Sequence, residues 1–291
     1  MAPISLPISL VILAAGLGRR FGGDKQLATV GNTGKPLMYF SVMDAYQAGV
    51  RQLVLVINHQ IEQALVSQFL PLLPADLTVS LVRQRMDDLP RVCKAGFREK
   101  PWGTGHALWS ARKDVPAASI VINADDYYGP GAMKRLVSHF ENSTDWALVS
   151  FRLGNTLSEF GLVNRGLCEE SEGFLVSVKE CLSIKQVDGV IRGEVDGKSV
   201  RLEPEQAVSM NIWGFGPDIF PCLENGLIRF FDRTEDQSEA EFYLPTQVMA
   251  SIKGGDNRVR VYQSRDKWQG ITYRDDLERL AEVFSDKREL P

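Results

Sequence analysis

Runs of consecutive apolar residues and helix-like repeats alternate along the first half of the chain. The runs, which are typical of strands buried on both faces of a parallel sheet, cover residues 8–13, 53–57, 77–82, 119–122 and 146–151. Apolar residues at helical spacing lie between them, over 39–50, 61–69 and 103–112. Repeated β–α units of this kind predict a mainly parallel sheet with helices on both faces.

The second half is rich in strand patterns. Strands or hairpins are predicted over 160–165, 174–182, 190–202 and 207–215, with turn pairs at Asp188-Gly189 and Asp196-Gly197. No linker or repeat separates the halves. We therefore predict one α/β domain, 1–291, with halves 1–155 and 156–291. Its expected fold is a Rossmann-like three-layer α/β/α sandwich with a mixed, mainly parallel central sheet and a β-rich lid subregion.

The net charge and the cysteine content limit the kinds of molecule that the protein is expected to bind. The formal net charge of the 291 residues is −4, so no global basic field attracts nucleic acid or an anionic membrane surface. The four cysteines, Cys93, Cys168, Cys181 and Cys222, show no metal-binding or paired spacing. Reduced thiols of this kind fit a cytoplasmic protein, and the apolar start of the chain is interpreted as a first strand.

A glycine-rich cationic loop follows the first apolar run, with the sequence LAAGLGRRFGGDK over residues 13–25. Glycines let backbone amides approach an anion closely, and Arg19, Arg20 and Lys25 add positive charge. The pattern indicates a polyphosphate site, with an ordinary strand-to-helix turn as the alternative. A nicotinamide fingerprint is a weaker interpretation still, because Phe21 stands where its third glycine is required.

Two more motifs follow predicted strands or open predicted helices. Asp125 and Asp126, directly after the strand at 119–122, suit Mg²⁺ bridging phosphate oxygens, although two acids there could also cap the next helix. Gly103 and Thr104 open a helix with small residues against which a flat base can lie. His106 in that helix is more simply explained as a packed or helix-capping residue than as a catalyst.

These motifs resemble, in order, those of the sugar-phosphate nucleotidyltransferase (NDP-sugar pyrophosphorylase) family. The 13–27 loop is similar to the family's signature loop, WGTGHAL (102–108) to the base-binding segment of its uridylyltransferases, and NADDYYG (123–129) to its metal-binding segment. Later segments resemble its sugar-contact strands: SEFGLV at 158–163, VKE at 178–180 and MNIWGF at 210–215. The resemblance covers about residues 8–285.

The resemblance implies a role for each matching position. The expected catalytic residues are Arg20, Lys25 and Asp125; the nucleotide-binding residues are Ala14, Ala15, Gly16, Gly18, Gln84, Gly103 and Thr104; the sugar-binding residues are Gly161, Glu180 and Asn211; and the metal ligands are Asp125 and Asp266. The halves 1–155 and 156–291 then bind nucleotide and sugar respectively. The implied reaction is Mg²⁺-dependent attack of a sugar 1-phosphate on the α-phosphorus of an NTP, expected to be UTP, with release of pyrophosphate.

Departures from the family pattern keep alternatives open. Gly270 stands where the family has its second metal-binding aspartate, so either Asp266 or Asp126 completes the site, or Asp125 acts with the substrates alone. Cys181 replaces a phosphate-binding lysine, for which Lys179 or Lys185 could substitute. The alternatives are a cytidylyl- or guanylyltransferase acting on a non-sugar phosphate, and a non-catalytic nucleotide-sugar-binding protein.

Overall fold

The computed structural model describes residues 7–16, 25–94, 96, 98, 100–158, 161–271 and 276–284. The strands are β1 (Ser9–Ala14), β2 (Gln52–Ile57), β3 (Thr78–Arg83), β4 (Ser119–Asn123), β5 (Asp126–Tyr127), β6 (Trp146–Arg152), β7 (Val163–Ser171), β8 (Phe174–Val187), β9 (Val190–Val195), β10 (Lys198–Leu202), β11 (Ala207–Phe215), β12 (Val259–Gln263) and β13 (Gln269–Gly270). The helices are α1 (Leu37–Gln47), α2 (Glu62–Ala64), α3 (Thr104–Ser110), α4 (Pro130–Asn142), α5 (Ile219–Arg233), α6 (Leu244–Gly254) and α7 (Asp276–Phe284). A π-helical turn, Leu65–Phe69, continues α2.

The first half forms a parallel ladder in the order β3-β2-β1-β4. Ser9 of β1 is in register with Gln52 on one side and Ser119 on the other. Every strand predicted in this half is present, within two residues at each end. Because the four strands run the same way, their carboxyl ends meet at one edge of the sheet, which is where ligands of such sheets bind.

The second half continues the same sheet instead of forming a separate lid. Strand β11 runs antiparallel between β4 and β6, and β12 pairs parallel to β6. Strand β7 pairs with both β8 and β11, while β8 also pairs with β12. The strands β8, β12, β6, β11 and β7 therefore close into a ring. The α/β class with a mixed sheet is confirmed, whereas the predicted lid over an open edge is replaced by this closure.

Alternating side chains of the central strands build two cores, one on each face. Leu10 and Ile12 of β1 pack in a core with α1, α4 and α7, whereas Val11 packs in a core with α3, α5 and α6. Period-two alternation sends successive strand residues to opposite faces, and helices cover both. This double burial explains why the strands appear in the sequence as uninterrupted apolar runs.

The hairpins of the second half use the predicted turn chemistry. Asp188-Gly189 joins β8 to β9 and Asp196-Gly197 joins β9 to β10, with all four residues at positive φ. Such turns match the twist of the adjoining strands. All four cysteines are free thiols. Among the described residues, no helix is both long enough and apolar enough to cross a membrane.

Candidate active site

A cavity of about 430 Å³ opens at the carboxyl edge of the parallel ladder. Six residues predicted to bind nucleotide or metal line it: Ala15, Gly16, Gln84, Gly103, Thr104 and Asp125. They come from the ends of β1, β3 and β4 and from the start of α3. Ala14 does not line the cavity, because it is the last residue of β1 and is buried in the core on the other face.

The glycine loop enters this cavity at its first residues. Gly16 is exposed, and its carbonyl accepts a hydrogen bond of 2.6 Å from Gln26 Nε2. Gly18 and Arg20 lie outside the described residues. Lys25 begins a short 3₁₀ helix, but its side chain also lies outside the described part. The predicted roles of these three residues therefore stay predictions.

The start of α3 is held against the segment that precedes α6. Gly103 has φ +100°, and a Cβ at this position would lie 2.9 Å from the carbonyl oxygen of Phe242. Gly105 N–H donates to that same oxygen (2.9 Å), and Phe242 N–H donates to Trp102 O (2.6 Å). The Thr104 hydroxyl oxygen accepts from Leu244 N–H at 3.0 Å, so it caps α6 while it lines the cavity. Only glycine fits at position 103 in this arrangement.

Gln84, directly after β3, is joined to the same helix start. Its Nε2 lies 3.1 Å from Gly103 O and 3.1 Å from His106 Nδ1. His106 is fully buried, and its Nε2 lies 2.8 Å from Asp88 O. The interpretation of His106 as a packed residue with satisfied nitrogens is thus confirmed.

The cavity also contains an ion pair that the sequence analysis did not assign. Lys100 and Glu241 both line it, with 2.6 Å between Lys100 Nζ and Glu241 Oε1. Arg98 fixes the surrounding segments, because its guanidinium donates to the carbonyls of Gln237 (2.6 Å) and Ala240 (3.0 Å). Lys100 lies two residues before the WGTGHAL segment (102–108), so a local sequence signal pointed to it. No local signal pointed to Glu241, because it is 141 residues further along the chain than Lys100.

Asp125 and Asp126 have different surroundings. Asp125 lines the cavity, and its backbone carbonyl accepts from Ile271 N–H at 3.0 Å. The Asp126 carboxylate instead accepts from Asn123 Nδ2 (2.9 Å) and lies 3.1 Å from the Tyr128 hydroxyl. Of the two acids, Asp125 is the one that lines the cavity.

Asp266 contacts the N-terminus of α4. Its Oδ2 accepts from the N–H groups of Gly131 (2.8 Å) and Ala132 (3.2 Å), an arrangement that satisfies two unpaired donors of the first helical turn. The capping that the sequence allowed for Asp125 and Asp126 is thus supplied by Asp266. Metal binding by Asp266 stays a prediction.

The glycine at position 270 has a structural cause. Gly270 pairs with Asp126 across β13 and β5, and a Cβ there would lie 2.2 Å from the ring of Trp268 and 2.9 Å from Asp126 Oδ1. With Trp268 packed in this way, no acidic side chain fits at position 270. Trp268 thus occupies the space that the family's aspartate would need at this position.

The three predicted sugar-binding residues do not share one cavity. Glu180 is exposed on β8, near Tyr243; burial first, and then the charges of Glu241 and Glu180, raise the pKa of the Tyr243 hydroxyl. Asn211 lies at a bulge of β11 with φ +60°. Gly161 lines a second cavity of about 920 Å³. Of the three, only Gly161 lines one of these two cavities.

The two lysines considered as substitutes for a phosphate-binding lysine at position 181 lie in different surroundings. Lys179 is paired with Glu169 at 3.1 Å, and both side chains are more than half exposed. Lys185 lines the second cavity together with Gly161 and Lys267. Cys181 itself is buried in the core of the sheet. Of the two, Lys185 is the one that lies in a cavity.

Comparison with known families and proteins gives a consistent result. Residues 10–175 match the model of the MobA-like NTP transferase domain. The chain is 32% identical over 256 residues to the bifunctional protein GlmU of Acetivibrio thermocellus, a match covering 84% of this chain and 44% of that protein. The chain thus spans about half the length of the curated relatives that it matches.

Solved structures share the fold at low sequence identity. A UDP-glucose pyrophosphorylase complexed with UDP-glucose is similar with a TM-score of 0.63 and 18% identity, covering 97% of this chain and 100% of that one. The inositol-1-phosphate CTP transferase from T. maritima has a TM-score of 0.63 and 14% identity, covering 97% and 96%. At such identities these similarities show the fold alone.

Proposed function

The chain belongs to the family of MobA-like NTP transferase domains, and on that premise we propose that it transfers a nucleotidyl group from UTP to a sugar 1-phosphate. The products are an NDP-sugar and pyrophosphate. One observation carries the proposal: Gly16, Gln84, Gly103 and Asp125, which are distant in sequence, line one cavity at the carboxyl edge of the parallel strands. We also infer the α/β/α layering of nucleotide-diphospho-sugar transferases for this fold.

Different residues at the cavity bind different parts of the substrates. The base lies against Gly103 and Thr104 and is recognised by Gln84, because small residues leave room for a flat ring and an amide supplies polar contacts. The triphosphate extends toward Gly16 and the loop that carries Gly18, Arg20 and Lys25. Glu180 and Asn211 contact the sugar hydroxyls.

The reaction needs no protein nucleophile. An oxygen of the sugar phosphate attacks the α-phosphorus in line, a new P–O bond forms, and the bond to the pyrophosphate leaving group breaks. A phosphate monoester is already anionic at neutral pH, so no strong base is required. Arg20 and Lys25 hold the phosphates in line and balance the negative charge of the transition state.

The cavity fits a magnesium ion that is shared with the substrate. Mg²⁺ binds through one or two carboxylates together with substrate phosphates and water, and Asp125 supplies one carboxylate at the cavity wall. Among the described residues, no cluster of three or more acidic, histidine or cysteine side chains forms a complete cage. Asp125 would hold the ion, with Asp266 as the predicted second ligand. When bound, Mg²⁺ neutralises phosphate charge.

Two other functions compete with this proposal. A cytidylyltransferase acting on a non-sugar phosphate is compatible with the fold, because the T. maritima inositol-1-phosphate CTP transferase shares it. A nucleotide-sugar-binding protein without catalysis is the other candidate. The main support for this alternative is the missing acid at Gly270, and that position is filled by the packed ring of Trp268.

A pyrophosphate-release assay distinguishes these functions. The protein is incubated with Mg²⁺, each of the common NTPs, and a panel of hexose 1-phosphates, N-acetylhexosamine 1-phosphates, inositol 1-phosphate and phosphocholine. Release with UTP and a sugar 1-phosphate is the expected result. Release only with CTP and a non-sugar phosphate supports the first alternative, and NTP binding without release from any pair supports the second.

A further inference from the structure

His106 makes two hydrogen bonds that define its protonation. Its Nε2 lies 2.8 Å from the carbonyl oxygen of Asp88. A carbonyl can only accept, so Nε2 carries the hydrogen. In the neutral imidazole, Nδ1 is then left with its lone pair, and this is the nitrogen that faces Gln84 at 3.1 Å.

Gln84 is consequently held in one amide orientation. Its Nε2 faces two acceptors, His106 Nδ1 and Gly103 O, both at 3.1 Å, and an amide NH₂ has two hydrogens to give. The Gln84 amide donates to Gly103 O and to His106 Nδ1, and His106 Nε2–H in turn donates to Asp88 O. Both amide hydrogens are used, so Oε1 is the polar atom of Gln84 that remains for the cavity. Rotation of the amide by 180° would place Oε1 against the Gly103 carbonyl, which is repulsive.

Neighbouring groups keep His106 neutral and its acceptor in place. The Asp88 backbone is braced because its carboxylate accepts two hydrogen bonds from Arg112, at 2.7 and 2.8 Å. Arg112 in turn stacks on Trp109, 3.5 Å from the ring centroid. Burial first lowers the pKa of His106, the charges of Arg112 and Arg98 lower it further, and Asp88 opposes them.

We propose that His106 is a positioning residue that makes Gln84 present only a hydrogen-bond acceptor to the base, so that the cavity selects a base with an imide N–H, as in uracil. The inference rests on the proposed function, because it takes the cavity to be the base site. Uracil offers N3–H to such an acceptor, whereas the corresponding N3 of cytosine is itself an acceptor. His106 thereby contributes to base selection without touching the nucleotide.

Binding of UTP and of its N3-methyl derivative tests the proposal directly. The methyl group removes the N3–H donor, and calorimetry without sugar phosphate measures both dissociation constants independently of turnover. For the wild type we expect UTP to bind about tenfold or more tightly than N3-methyl-UTP and CTP, because a buried acceptor would lose its partner. Equal binding of UTP and N3-methyl-UTP would overturn the proposal without any variant.

Three variants separate positioning from packing. In His106→Phe one of the two acceptors of the Gln84 amide is lost, and the preference for UTP over N3-methyl-UTP should fall about fivefold or more because the Gly103 carbonyl alone then orients the amide. His106→Asn can place Oδ1 where Nδ1 was, so it should restore most of the preference. His139→Phe is the matched control: His139 is also buried and bonded at both ring nitrogens, but to Tyr262 and Asp145. The His139→Phe protein should have a lower free energy of unfolding than the wild type but keep its preference for UTP over N3-methyl-UTP.

The outcomes distinguish failure of this inference from failure of the proposed function. An unchanged preference in a folded His106→Phe protein would make His106 a packing residue, even if pyrophosphate is released with UTP. If that variant does not fold, His106→Leu is measured in the same way. A preference that falls as expected in a protein releasing no pyrophosphate would leave the inference standing and refute the transfer reaction. Preferential binding of CTP or ATP would overturn the inference.

Discussion

Replacing Gly103 with alanine tests the arrangement on which the candidate site depends. The backbone there has φ +100° and ψ −177°, a region that is nearly restricted to glycine. An added Cβ would meet the backbone of Phe242, with its oxygen at 2.9 Å and its nitrogen at 3.1 Å. These atoms belong to a segment that is hydrogen-bonded to α3, so they cannot move without separating the two.

The expected loss of unfolding free energy in Gly103→Ala has two contributions. Backbone strain at a glycine-only conformation costs about 1–3 kcal/mol, and forcing an extra carbon into packed surroundings costs about 1–3 kcal/mol more. Gly49 is the matched control, because it has a similar φ of +108° but no atom within 4 Å of the added Cβ. Gly49→Ala therefore introduces the backbone strain without a steric clash of the added Cβ. We therefore expect Gly103→Ala to be less stable than Gly49→Ala by about 1–3 kcal/mol.

Urea unfolding followed by circular dichroism measures this difference, and calorimetry measures UTP binding in the same variants. Displacement of the Gly103 carbonyl removes one hydrogen bond of Gln84, so UTP should bind about fivefold more weakly to Gly103→Ala and normally to Gly49→Ala. Equal unfolding free energies and equal UTP affinities in the two variants would refute both the packing at Phe242 and the place of Gly103 in the site.

Three further predictions concern charged residues. Asp125→Asn should lower Mg²⁺-dependent pyrophosphate release by about 100-fold or more while leaving the circular dichroism spectrum unchanged, since asparagine keeps the size of the side chain and removes its charge; near wild-type turnover would contradict its role. Asp266→Ala should lower the unfolding free energy by about 1 kcal/mol through loss of the α4 cap, and an increased Mg²⁺ requirement in the same variant would add metal binding to that role. The hydrogen bonds from Arg112 hold the pKa of Asp88 below its ordinary value of 3.8. The stability that this pair contributes is present above that value and is lost as the pH falls through the lower folded pKa. The difference in unfolding free energy between wild type and Arg112→Gln should therefore be largest near neutral pH and shrink in acid, and a difference independent of pH would contradict the pairing.

Several site residues could be predicted because their signals are local. Gly16 and Asp125 lie two residues after the end of a strand and Gly103 opens a helix, whereas Gln84 was expected only from the family resemblance. In a parallel sheet, such positions meet at one edge whatever the details of packing. The order of motifs then predicts which part of the substrate each one binds. Glu241 escaped prediction because it reaches the cavity only through the pairing of Phe242 with Trp102 and Gly105.

The sequence by itself determined the elements and their class. Apolar runs, helical repeats and Asp-Gly turns depend on residues close together in the chain, so the α/β pattern and the carboxyl-edge motifs could be identified without coordinates. Only the tertiary structure decided how distant segments meet. It closed β7 onto β8 and β11 where a lid was expected, placed Asp266 on the first turn of α4, and filled the space beside Gly270 with Trp268. Strand order and side-chain packing arise from contacts between residues far apart in sequence, and no local pattern specifies them.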